Sequence, residues 1–181
     1  LLHLRTGPWH DALQEVAMRM SRVSGFSMCH DSRRPCATPL GYSPLWCPDF
    51  TLTHAAPNGG HILVDVTTTC PSKRTSLPAS AMACNVAARA AAACKCALYG
   101  NITPHTLLPF VVEEPGALGT EAMQFLKKCK RKLRDSTVFV DSADLNWSNR
   151  GFSNYFFQSF SLANIKGLGY FVNRAAGILH S

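Results

Sequence analysis

Along the chain, apolar positions fall into blocks whose spacing changes from helical to extended and back. Residues 10–24 place Leu13, Val16, Ala17, Met20 and Val23 on one side. That is helical spacing, and Gly25 stops it. Glu15 points away from this stripe and is expected in solvent. Residues 26–46 contain Pro35, Pro39 and Pro44 with Arg33 and Arg34, and read as an irregular basic loop. Two β-rich runs follow, Cys47–His54 and His61–Thr69, separated by Ala55-Ala56 and a Pro57-Asn58-Gly59-Gly60 turn. This is a hairpin signal, because Asn and Gly tolerate the positive φ of a tight reversal. The second run, apolar on both sides of a single acid, reads as a central strand.

Beyond the hairpin, residues 70–78 form a linker, and an alanine-dominated helix is expected from Ala79 to Tyr99 with Gly100 closing it. Lys95 and Tyr99 share a face of that helix at i,i+4. Pro109 opens a short strand that ends at Glu113 and Glu114, and a helix over residues 120–133 carries the stripe Ala122, Leu126, Cys129 and Leu133. Residues 136–140 suit a last strand. Phe152, Phe156, Phe160 and Ala163, then Leu168, Val172, Ala175 and Leu179, predict two amphipathic helices broken at Gly167-Leu168-Gly169. The C-terminal aromatics are expected to serve a core or a docking surface.

The hairpin brings chemistry with it. If the reversal centres between Pro57 and Asn58, Asp49 lies beside Asp65 and Val66, and facing residues of an antiparallel pair sit roughly 4.5–5.5 Å apart at Cβ. A carboxylate in a buried strand is costly unless it is paired or bound to a cation. Two converging carboxylates therefore point to a metal ion.

The 181 residues, 46% hydrophobic and 16% charged, suit a globular domain with its own core and exclude a disordered chain. A net charge of +7 and a pI near 9.1 favour a polyanionic partner such as nucleic acid. Six of the eighteen basic groups, Lys127, Lys128, Lys130, Arg131, Lys132 and Arg134, lie on the outer face of one helix. That face suits phosphate tracking. No apolar run reaches the roughly 18 residues of a membrane span, so no membrane partner is expected. The eight cysteines form no CxxC pair, and the gaps among Cys29, His30, Cys36 and Cys47 match no usual zinc spacing. With no secretion signal, free thiols in a nuclear or cytoplasmic, intracellular setting are expected.

In order and spacing, these motifs resemble the PD-(D/E)XK nuclease core. More closely, they resemble the restriction-enzyme-like endonuclease region that follows the reverse transcriptase of non-LTR retrotransposons. The matching residues are His10 in the first helix, Pro48-Asp49, Asp65-Val66-Thr67, Lys95 with Tyr99, and Val112-Glu113 leading to Gly116 and Gly119, with Phe160-Ser161-Leu162-Ala163 near the end. The resemblance implies an α/β (α+β) fold, a central mixed sheet with a catalytic hairpin flanked by helices. It implies a nuclease core over residues 1–140 and a helical extension over 141–181 packing on it.

It further implies a metal-dependent DNA endonuclease of retroelement origin, with RNA a further partner in a retroelement complex. Asp49 and Asp65, with the Val66 carbonyl, would hold Mg²⁺ or Mn²⁺, with Glu113 as an extra acid. The family's strand lysine is replaced by Thr67, and Lys95 on the helix takes its role. Two other classes stand beside this one: an inactive, nuclease-derived nucleic-acid-binding module, and a protein-interaction domain using the C-terminal aromatics.

Overall fold

The computed structural model describes residues 7–29, 48–99, 104–114, 116–135 and 151–175. Five helices and four strands follow in the order α1 (Pro8–Val23), β1 (Met28–Cys29), β2 (Phe50–Leu52), β3 (Ile62–Thr69), α2 (Leu77–Met82), α3 (Val86–Tyr99), β4 (Thr106–Glu113), α4 (Thr120–Asp135) and α5 (Phe152–Ala175). The strands make one mixed sheet in the order β1-β2-β3-β4, with β3 antiparallel to β2 and parallel to β4. A parallel pair needs a crossover, and α2 with α3 supplies it.

The expected hairpin is present. Phe50 faces Val64 and Leu52 faces Ile62, so partner numbers sum to 114 and Asp49 continues the ladder toward Asp65. Its turn is held by positive φ at His54 and Gly59, and by Gly60, where any β-carbon would run into the Pro104 backbone.

Alternation along β3 sends two sets of side chains to two faces. Ile62, Val64 and Val66 join the main core with Leu13, Ala17 and Met20 of α1, Phe110 and Val112 of β4, and Phe125, Leu126 and Cys129 of α4. Phe152, Phe156, Phe160 and Ala163 of α5 belong to the same cluster. Helix α5 is therefore an integral wall of the core, and the aromatic residues expected to pack do so. On the other face lie Leu63, Asp65 and Thr67. There Ala88 and Ala92 of α3 rest on Val111, and Tyr99 covers Leu63 and Leu107. Alanine earns its place here because a small side chain lets the helix sit close to the sheet.

Several expected boundaries differ. The alanine-rich segment is two helices rather than one, since Asn85 adopts φ +59° between Ala83 and Val86; Asn tolerates this left-handed conformation better than most residues. Strand β4 starts at Thr106, three residues before Pro109, because Pro109 lies on an edge strand whose ladder is with β3 alone among the described residues. The loop after the first helix contains a two-residue strand, β1, too short to leave a periodic signal. The strand expected at residues 136–140 lies outside the described residues, as do His30, Cys36 and Cys47. The described cysteines are free thiols, and burial pushes that of Cys129 up to about 12.

The largest departure is α5, which runs unbroken through Gly167 and Gly169. Gly167 is there for contact: a β-carbon at that position would collide with the Trp9 ring of α1. Asn164, one turn earlier, accepts from Trp9 Nε1 at 2.9 Å and donates to the Glu114 carbonyl, tying α1, α5 and the end of β4 together. At Gly169 nothing lies within 4 Å of a would-be β-carbon. Gly167→Ala should therefore cost about 1–3 kcal/mol through overpacking. Gly169→Ala should instead stabilise by up to about 1 kcal/mol through helix propensity. Urea unfolding of both variants measures the contrast, and equal effects would contradict the close α1–α5 packing.

Candidate catalytic centre and basic face

Helix α1 reaches the hairpin through its first turns, where His10 and Gln14 stand four residues apart. Gln14 Nε2 donates to the Asp49 carbonyl at 3.0 Å, and the Asp49 main-chain N–H donates to the Val64 carbonyl at 2.9 Å. Asp49 thus enters β2 with its backbone clamped from both sides. Its carboxylate then takes over where the ladder ends, with Oδ2 accepting the Val66 N–H at 2.6 Å. His10 Nε2 lies 3.0 Å from the Val66 carbonyl and 3.3 Å from Asp49 Oδ2, while its Nδ1 lies 3.5 Å from Asp11 Oδ1. A carbonyl can only accept, so Nε2 carries a proton. Burial alone would lower the His10 pKa, but the hydrogen bond and charge of Asp49, with Asp11 and the Val66 carbonyl, raise it overall.

Asp65, on the face toward α3, is buried with its side chain 9% exposed. Lys95 of α3 spans both of its oxygens, at 3.1 and 2.9 Å, from a side chain 27% exposed. The Thr67 hydroxyl approaches Asp65 Oδ1 at 3.5 Å, the outer limit of such contact. Burial works against the Lys95 ammonium, yet Asp65 raises its pKa above the ordinary value. Lys95 therefore stays charged at neutral pH. Its Nζ also sits 5.6 Å from the centre of the Tyr99 ring. Burial pushes the Tyr99 phenol up, and the charge of Asp65 adds to this.

Of the residues singled out in the sequence, Asp49 and the Val66 carbonyl meet His10 of α1, while Asp65, at the adjoining hairpin position, meets Lys95 of α3. Glu113 belongs to neither group. Its ladder partner is Thr69, four residues or about 13 Å along β3 from Asp65. Its Oε1 accepts the Ala88 N–H at 3.1 Å, capping the first turn of α3. A carboxylate there satisfies an orphan helix donor and faces the positive end of the helix dipole, so Glu113 supports the fold instead of serving as the extra acid expected.

Gln14 is an addition, and His10, matched in the sequence without a role, gains one here. The signal for them was in the pattern, since His10, Leu13 and Ala17 share the buried side of α1, and a polar ring on that stripe needs a polar partner inside.

Among the described residues no group of three or more His, Cys, Asp or Glu is arranged to hold a metal ion. The donor chemistry of Asp49, Asp65 and the Val66 carbonyl is all oxygen, which suits a hard cation that needs one or two carboxylates and keeps water for the rest. The Val66 carbonyl and Asp49 Oδ2 already converge on one point, the one His10 Nε2 occupies.

The six basic residues of α4 separate into two groups. Lys127, Lys130, Arg131, Lys132 and Arg134 are exposed, with Arg134 paired to Asp135 at 3.2 Å. Lys128 is half-buried and donates to the Ala55 carbonyl at 3.1 Å. It lines a groove with Arg131 and Lys132. None of the described helices is long and apolar enough to cross a membrane.

The chain matches no protein-family model, no curated protein and no solved structure. The fold and site therefore define it only as a mixed α/β protein with two acids on one hairpin, one served by a histidine and the other by a lysine.

His10 carries its raised pKa only when folded. Its stabilisation is complete below about pH 6.5, the ordinary imidazole value, and is lost as pH rises through the higher folded value. In EDTA, the gap in urea midpoint between the parent and His10→Gln should be widest near about pH 5.5 and narrow toward about pH 8.5. A gap constant across that range would contradict the His10–Asp49 contact.

Proposed function

We propose that this protein is a metal-dependent endonuclease of the PD-(D/E)XK type, similar to the retroelement-associated enzymes that its motifs resemble. The observation that carries this reading is the pair Asp49 and Asp65 at adjoining positions of one hairpin, with Lys95 of the following helix bonded to the second acid. The element order, with a helix before the hairpin and a lysine-bearing helix before a parallel strand, supports it.

Asp49, Asp65 and the Val66 carbonyl would hold Mg²⁺ or Mn²⁺, which supplies charge to a phosphodiester and a water acidic enough to attack it. Gln14 fixes the Asp49 backbone and the Val66 N–H holds its Oδ2, and a metal shared by Asp49 and the Val66 carbonyl would displace His10 Nε2 from between them. Lys95 bonds both oxygens of Asp65. Being charged at neutral pH, it would stabilise negative charge growing on the phosphate instead of taking a proton. Thr67, where the resembled family has its lysine, leaves that role to Lys95. The exposed cations of α4 would hold the nucleic-acid backbone without reading its sequence.

A second reading is a nucleic-acid-binding module without cleavage. It is favoured by the engagement of both acids, Asp49 with His10 and Asp65 with Lys95.

A plasmid-nicking assay in Mg²⁺, Mn²⁺ or EDTA separates the two. Nicking in either metal and none in EDTA is expected, with loss of activity in Asp49→Asn and Asp65→Asn. Lys95→Ala should lower the rate roughly 10²–10³-fold with DNA affinity nearly unchanged. It should also destabilise by about 1–3 kcal/mol, because Asp65 is left buried without its partner. A parent protein that binds DNA but cuts it with no metal would replace the endonuclease by the binding module.

A further inference from the structure

We propose that the groove between α4, the hairpin turn and the segment after α1 is a discrete phosphate subsite, taking one backbone phosphate of a nucleic-acid strand away from the candidate centre. This rests on the nucleic-acid reading above and does not need cleavage. The groove encloses about 530 Å³ and is lined by Phe26, His54, Ala55, Lys128, Arg131, Lys132 and Asp135. That volume lies in the range of small-ligand sites, roughly 300–1,000 Å³.

Three features make it more than a stretch of charged surface. First, Lys128, Arg131 and Lys132 occur at i, i+3 and i+4, so a single face of α4 aims three cations at one spot. Second, two of them are anchored. Lys128 Nζ donates to the Ala55 carbonyl of the hairpin turn and lies 5.9 Å from the Phe26 ring centre, and Lys132 Nζ lies 5.0 Å from that centre. An ammonium held over a ring face has already lost much of the side-chain freedom that binding would otherwise remove.

Third, the cations are not neutralised. Among the described residues no carboxylate is paired with Lys128, Arg131 or Lys132, and Asp135 at the rim is taken by Arg134. Burial lowers the Lys128 pKa, and the charges of Arg131 and Lys132 lower it further. Three crowded like charges without a counter-ion are relieved by an anion, and a phosphate supplies both the charge and several acceptor oxygens.

A nucleic-acid strand is favoured over other phosphate carriers by position. The groove opens at the turn end of the hairpin that bears Asp49 and Asp65. From Leu52 at that end to Asp49, which meets His10 of α1 on the same side of the sheet as α4, is three residues along β2, about 10 Å. That is the axial rise of about three nucleotides at 3.4 Å each. One strand would therefore reach both places.

The test compares two charge-matched double variants of the full chain, each with exposed side chains. Binding of a fluorescein-labelled DNA duplex is measured by anisotropy in EDTA over a salt series. Arg131→Ala with Lys132→Ala should weaken binding roughly tenfold and make the slope of log affinity against log salt shallower by about 0.9, the loss of one phosphate. Lys127→Ala with Lys130→Ala removes the same charge and should do distinctly less. Equal losses in both pairs would overturn the subsite in favour of a diffuse basic face. A parent chain that ignores DNA but binds phosphatidylinositol-phosphate vesicles or a phosphopeptide through Arg131 and Lys132 would overturn the nucleic-acid occupant. Nicking in Mg²⁺ is scored separately. A clear difference between the pairs without nicking removes the endonuclease alone, and nicking without that difference removes the subsite alone.

Discussion

Asp65 sits in the middle of a strand covered on both faces, and the arrangement around it follows from keeping that charge satisfied. An ionised carboxylate out of water is costly without a close partner. Lys95 provides the partner from α3, spanning both oxygens. To deliver it, α3 must lie flat on β3 and β4. The alanines at 88 and 92 make that possible, and Glu113 fixes the start of the helix by capping Ala88. A buried acid, a small-residue helix and a distant capping glutamate thus form one coupled arrangement. Any function assigned to Asp65 draws on it.

The opposite face answers a different constraint. Phe110 is fully buried, with the Phe125 ring of α4 and the Phe160 ring of α5 at 6.5 and 5.3 Å. Helix α1 is fixed against α5 through Trp9, which meets the bare backbone of Gly167 and the amide of Asn164. This contact has a consequence for the site. His10 and Gln14 follow Trp9 on the same helix, so the packing that seats Trp9 also sets how deeply they reach toward Asp49 and Val66. The core on one face and the polar cluster at the hairpin therefore share α1 as a common lever.

Charge is distributed with similar economy. Of the cations on α4, the half-buried Lys128 is drawn inward by the hairpin turn and the Phe26 ring, while Lys127 and Lys130 remain in water. The groove meets a trio of histidine rings on the hairpin side. His61 stacks on His105 at 4.9 Å and meets His54 edge-on at 5.3 Å. The backbone N–H groups of His54 and His61 donate to Nδ1 of His61 and His105. Burial and the two neighbouring rings lower the pKa of His61. Of the trio only His54 lines the groove, beside the cations Lys128, Arg131 and Lys132 of α4.

By itself the sequence determined the elements and the local register. Helical spacing in α1 and α4, the Pro-Asn-Gly-Gly reversal and the two-sided burial of β3 are encoded within short windows, and each is found. The hairpin's own turn likewise sets Asp49 and Asp65 at adjoining positions, while their carboxylates meet different partners, His10 of α1 and Lys95 of α3. Only the tertiary structure decided what each polar group meets. Glu113 became a helix cap because the crossover brings the first turn of α3 to the end of β4. Gly167 became a contact instead of a break because Trp9, 158 positions earlier, presses on it. His10 gained a role because α1 crosses the mouth of the hairpin. Periodicity and turn chemistry act between near neighbours in the chain, whereas the partner of a buried charge or a bare glycine is fixed by which distant segment packs against it.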